Sequence, residues 1–116
     1  MGTMWLLDAN MDVHLVGLLN EFGIKAESAT QRGWQGLMNG DLVKEAIAAG
    51  FSCVVTQDRL FAEAAGRALA SHPKFSIVVV RLPQKPSKVY LSDFKLAWKR
   101  SPIKPTAGKV ISWPHP

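Results

Sequence analysis

Apolar residues fall along the chain in short unbroken runs that alternate with sets at helical spacing. Met4–Leu7 is one such run. It ends at Asp8 and reads as a buried strand. Met11, Leu15, Leu18, Leu19 and Phe22 follow at the spacing of one helix face, and Gly23 stops that helix. Ile24–Ser28 reads as a second strand. Gln31–Gly40 holds Gly33, Gly36, Asn39 and Gly40 and reads as a loop. Leu42, Val43, Ala46 and Ile47 predict a second helix, closed by Gly50. Phe51–Thr56 is a β-branched strand, and Leu60–Ala70 an alanine-rich third helix. Phe75–Leu82 is another buried strand, ended by Pro83 and Pro86. Leu91–Lys99 predicts a fourth helix. Lys109–Trp113 reads as an edge strand between flanking prolines.

The order βαβαβαβαβ implies an α/β fold, with a mostly parallel central sheet and helices on both faces. Continuous apolar strands, rather than alternating ones, fit that class. The chain has 116 residues, 47% of them hydrophobic. That length suits one domain over residues 1–116 and is short for two. The stretch 101–116 carries four prolines and reads as a tail or edge strand.

Cys53 is the only cysteine and sits in an apolar run, so an inert buried thiol is expected. Without a disulfide framework or a leader pattern, the expected setting is a reducing cytoplasm. No apolar stretch approaches the roughly 18–20 residues that span a bilayer, so no membrane partner is expected.

Charge divides the chain. Residues 1–58 hold three bases (Lys25, Arg32, Lys44) and seven acids, a net of −4. Residues 59–116 hold eleven bases and two acids (Glu63, Asp93), a net of +9. A basic half suggests a polyanionic partner or a solvated basic face. The acidic half needs its own reason.

Three acids supply one. Asp8 follows the first strand, Asp58 follows the third, and Asp41 opens the helix after the second. Ligands of open parallel sheets bind beyond the carboxyl ends of the strands. Carboxylates crowded there repel unless a cation lies between them. Hard oxygen donors of this kind suit Mg²⁺ or Mn²⁺. Glu45 is one helical turn beyond Asp41 and is a candidate fourth acid. Asn10 could orient Asp8 or a metal-bound water. Each acid also precedes a helix, where Asp is a favoured cap. Capping and metal ligation both stand, and one side chain can do both.

These residues carry a resemblance. Leu6-Leu7-Asp8-Ala9-Asn10, Leu18-Leu19 with Phe22-Gly23-Ile24, Gly40-Asp41-Leu42-Val43, Val54-Val55-Thr56-Gln57-Asp58 with Phe61, and Ile77–Leu82 resemble the short PIN-like nucleases. These are relatives of the VapC-type ribonucleases of toxin–antitoxin systems. The resemblance covers about residues 4–83. It implies a PIN-like fold, dependence on Mg²⁺ or Mn²⁺, a single-stranded RNA substrate and a cognate antitoxin. Asp8, Asp41 and Asp58 match the family's acids, with Thr56 beside the last. Two positions depart from the pattern. Ala9 stands where relatives often carry Glu, and Leu60 where they often carry a second acid. The site could bind metal weakly, use Glu45 instead, or have lost catalysis. A PIN-like module that works by binding a partner protein is therefore the alternative function.

Other residues have two readings each. Trp34, in the Gly-rich loop, could stack on a base or anchor the loop. Arg32, Arg59 and Arg81 could meet phosphates or serve as surface charge. Trp5 and Trp98 read as core or interface packing, and a homodimer is admitted among the partners. His14 reads as a core-edge or surface residue. His72 and His115 suggest no triad. A receiver reading of Asp58 needs a second acid beside Asp8 and a hydroxyl after the fourth strand. Val80-Arg81-Leu82 offers none.

Overall fold

The strands form where apolar runs can be buried on both faces. The computed structural model describes residues 4–114, so His115 lies outside the described residues. The strands are β1 (Met4–Leu7), β2 (Lys25–Ser28), β3 (Cys53–Thr56), β4 (Ser76–Val80) and β5 (Val110–Trp113). Every residue of β3 and β4 is buried, as expected of central strands in a parallel sheet. The edge strand β2 is more polar and exposes Lys25. The helices are α1 (Leu15–Glu21), α2 (Asn39–Ala48), α3 (Arg59–Gly66) and α4 (Ser87–Arg100).

All pairings are parallel, in the order β2-β1-β3-β4-β5. Successive strand residues face opposite sides and build two cores. Trp5, Leu7, Cys53, Val55, Val78 and Val80 pack with Leu15, Leu19 and Phe94, on the side of α1 and α4. Leu6, Val54, Ile77 and Val79 pack with Leu42, Val43, Ala62 and Ala65, on the side of α2 and α3. Cys53 is buried in the first core, and burial pushes its thiol up out of the reactive range. No helix among the described residues is long and apolar enough to cross a membrane.

Two helices stop as expected, through one device. Gly23 (φ +85°) and Gly50 (φ +94°) take the left-handed conformation just past α1 and α2. The Ile24 amide reaches back to the Leu19 carbonyl at 2.9 Å, and the Phe51 amide to the Ala46 carbonyl at 2.9 Å. These bonds satisfy the last-turn carbonyls in a Schellman motif.

Four helix boundaries differ from the pattern, one of them the start of α2 at Asn39, inside the stretch expected as loop. The first helix was expected from Met11 but begins at Leu15. The Asp12 carboxylate accepts the His14 amide at 2.9 Å and holds a turn there instead. Met11 remains buried in the core. The third helix tightens to a 3₁₀ turn over Arg67–Ala70. The fourth begins at Ser87 rather than Leu91, with Pro86 as its first flanking residue. Pro86 ends nothing there. A helix start has no use for the missing N–H, and the Pro86 carbonyl accepts the Tyr90 amide at 3.0 Å.

Candidate active site

The strand order reverses direction between β1 and β3. Chain leaving β1 goes to one side of the sheet and chain leaving β3 to the other. A crevice opens at such a switch point, beyond the carboxyl ends of the strands. Asp8 follows β1 directly, and its amide continues the ladder by donating to the Val55 carbonyl at 2.9 Å. Thr56 is the last residue of β3 and is fully buried.

Thr56 joins the two sides. Its hydroxyl donates to Asp8 Oδ2 at 2.8 Å. The same oxygen accepts the Asp58 amide at 3.0 Å and Asn10 Nδ2 at 3.3 Å. Gln57 closes the network. Its amide donates to Asn10 Oδ1 at 3.3 Å, and its Nε2 to the Asn10 carbonyl at 3.0 Å. Asp8 Oδ1 accepts the Ala9 amide at 2.8 Å. Asp58 Oδ1 caps α3, accepting the Leu60 and Phe61 amides at 2.9 and 3.1 Å. Asp58 is therefore a cap, and its Oδ2 takes no bond among the described residues. Asp8 is not a cap, because α1 begins seven residues later at Leu15. A carboxylate offers about four lone-pair sites, so both acids keep acceptor capacity.

Asp8 and Asp58 line one open cleft of about 410 Å³ with Asn10. Its apolar walls are Leu37, Met38, Leu60 and Phe61. Met38 is 70% exposed and Leu60 74% exposed, more than the other exposed large apolar side chains among the described residues. Asp41 and Glu45 are exposed on α2 and are not among the cleft's lining residues. Asp41 stands in the first turn of α2 and does not cap it. Among the described residues, no three His, Cys, Asp or Glu side chains stand together as a metal-binding group. Two carboxylates with an amide still match what Mg²⁺ takes from a protein, the rest being water and substrate phosphate.

Arg32 and Trp34 are occupied with each other. The Arg32 guanidinium grips Glu27 at 2.8 and 3.3 Å and lies 4.9 Å above the Trp34 ring. It also lies 5.0 Å above Phe51. The Arg32 hydrogen bond holds the Glu27 carboxyl below its ordinary range. Trp34 is half-buried against the second core. Arg59 and Arg81 are exposed, at the start of α3 and just past β4. Both thus stand at the edge that carries the acids. Trp98 is half-buried and packs against Phe22 at 4.7 Å and Trp5 at 6.1 Å, at the margin of the first core.

His14 has a partner that spacing did not suggest. Its Nδ1 is 2.9 Å from Asp12 Oδ1 and 3.3 Å from Ser87 Oγ. A relay needs the hydroxyl and the carboxylate on opposite ring nitrogens, so this trio is a surface link between chain segments. Burial draws the Asp12 carboxyl up, but bonds from Ser87 and His14 outweigh it and leave it below its ordinary range. Gln57 is the site residue that pattern reading passed over. Its only signal was its place between Thr56 and Asp58.

No family model, curated protein or solved structure matches the chain. Receiver domains share the strand order β2-β1-β3-β4-β5. Here the residue after Asp8 is Ala9, and Val80-Arg81-Leu82 at the end of β4 carries no hydroxyl.

Proposed function

We propose that this protein is a metal-dependent endoribonuclease of the PIN-like kind. It would be the toxin of a toxin–antitoxin pair, acting in the cytoplasm and held in check by a cognate antitoxin. The observation that carries this reading is the pair Asp8 and Asp58 on one cleft at the switch point, tied together through Thr56. These two carboxylates would hold Mg²⁺ or Mn²⁺. Asp41, three residues beyond the cleft-lining Met38, would be the next acid to join them. When bound, the metal would supply an activated water and charge stabilisation at the phosphoryl group. The chain's own residues orient the acids: Thr56 fixes Asp8, and the α3 cap fixes Asp58. The net +9 of residues 59–116 suits an RNA backbone. Arg59 and Arg81 would meet it at the cleft's edge.

The test is cleavage of single-stranded RNA with Mg²⁺ or Mn²⁺. Asp8→Asn and Asp58→Asn are expected to lower it by at least about 100-fold, the upper end for loss of a mere outer-shell partner. Asn caps a helix as well as Asp does, so Asp58→Asn removes the charge and keeps α3. Wild-type protein that cleaves no RNA with either metal would sink this reading.

A second reading rests on the exposed Met38 and Leu60 beside the acids. Apolar groups rimming a cleft mark a protein contact. In that case the chain is a non-catalytic PIN-like module that binds a partner protein. Mg²⁺ and Mn²⁺ would then leave its melting temperature unchanged, whereas a bound metal raises it.

A further inference from the structure

A second hollow lies beside the acid cleft and shares Asn10 with it. It is polar, holds about 150 Å³, and is lined by Asn10, Asp12, Gln57, Gln84, Lys85 and Tyr90. Two of its lining residues carry buried atoms without a hydrogen-bond partner among the described residues: Gln57 Oε1 and the Tyr90 hydroxyl. Tyr90 as a whole is only 3% exposed. Leaving a buried polar group unpaired costs about 1–3 kcal/mol, so such groups ordinarily have partners. Two orphans on one small hollow point to a ligand that supplies what they lack.

The lining says what kind of ligand. Gln57 Oε1 is a carbonyl oxygen and can only accept, while its Nε2 donates to the Asn10 carbonyl. Asp12 adds a carboxylate, close enough to the Tyr90 phenol to help burial push it up to about 12. The phenol therefore stays protonated and can donate. The acceptors call for an N–H donor on the ligand. Asp12 repels a phosphate, and Lys85, whose Nζ also pairs with Asp93 at 3.0 Å, disfavours a metal ion. A neutral group rich in N–H fits both the acceptors and the mixed charge of the lining. The volume equals about five waters at ~30 Å³ each, too little for a drug-sized ligand and enough for one small ring system.

We propose that this hollow receives one unstacked nucleobase of the RNA, held by its exocyclic amine. The inference rests on the ribonuclease reading and deepens it: the acids would meet the backbone while Gln57 and Tyr90 read a neighbouring base. Sequence-specific recognition of RNA works on splayed single-stranded bases of this kind.

The test is an NMR titration of the full chain with adenosine, guanosine, cytidine and uridine, without metal. Nucleosides lack phosphate, so the acid cleft takes no part. Saturable shifts are expected at Gln57 and Tyr90 for an amine-bearing nucleoside, with uridine weaker by about 5-fold or more, the least that one unpaired polar group costs. Tyr90→Phe should weaken that binding by a similar factor. It removes only an orphan hydroxyl, so its melting temperature should hold or rise. Gln57→Met is the second variant, and it should reduce the preference over uridine. No nucleoside shift at the hollow, equal binding of uridine, or binding untouched by Tyr90→Phe would each overturn the proposal, and the first means that the hollow holds water alone. Base binding without any RNA cleavage would instead count against the ribonuclease reading.

Discussion

At the scale of single residues, Thr56 decides more than either acid. Its buried hydroxyl holds three bonds, to Asp8, Asn10 and the Asp58 amide. Thr56→Val keeps the shape and deletes them. It leaves the Asp58 N–H and Asn10 Nδ2 short of an acceptor, so a loss of about 1–3 kcal/mol is expected in urea unfolding. Thr56→Ser should recover most of it. A valine variant as stable as wild type would show that the network contributes nothing. Much of this site was legible beforehand. Asp8, Thr56 and Asp58 each sit where an apolar strand run stops, and a strand's end is visible in the pattern. Which side chains then meet was less visible. Asp41 lies in the first turn of its helix yet outside the lining of the cleft, because the path of the loop before it is not written in any periodicity. The Arg32–Trp34 stack was hidden for a similar reason: it depends on Glu27, a strand residue, facing the loop.

At the scale of elements, the glycines offer a clean pair of opposite expectations. Gly23 ends α1 at φ +85°, and a Cβ there would meet no atom within 4 Å. Gly23→Ala therefore adds backbone strain and nothing else, and should cost about 1–2 kcal/mol. Gly17, inside α1, also has open space around it but no positive φ. Gly17→Ala should gain about 0.5–1 kcal/mol, since glycine weakens a helix interior. Urea midpoints of the two variants should move in opposite directions. A shift in the same direction would contradict the backbone explanation. The helix stops were readable because glycine acts locally. The helix starts were not. Asp12 bends the chain through a side-chain bond that competes with the helix, and Pro86 stops a strand or starts a helix with equal ease.

At the scale of the molecule, the alternation of elements was enough to imply a parallel sheet with two covered faces. The strand order needed more. Nothing in the alternation says that β1 lies between β2 and β3 rather than at an edge. That placement turns two strand-end acids into neighbours. Charge is uneven as well: seven of the nine acids precede α3, while most of the basic residues belong to β4, α4, β5 and the segments around them.

The position of β1 has a consequence in time as well as space. The Asp8–Thr56 contact joins residues 48 apart, and the Asp8 amide is locked to Val55 across the same strand pair. Local helix formation cannot build this contact; long-range pairing must come first. The Asp8–Thr56 side of the cleft is then built only when β1 and β3 have paired. The Asp8 amide should exchange its hydrogen only through global unfolding, at the rate of the most protected amides of β3. Faster exchange at Asp8 than in β3 would separate site opening from unfolding. A chain interrupted before Thr56 would have β1 without its neighbour β3, so whatever this cleft does begins only once that strand has arrived.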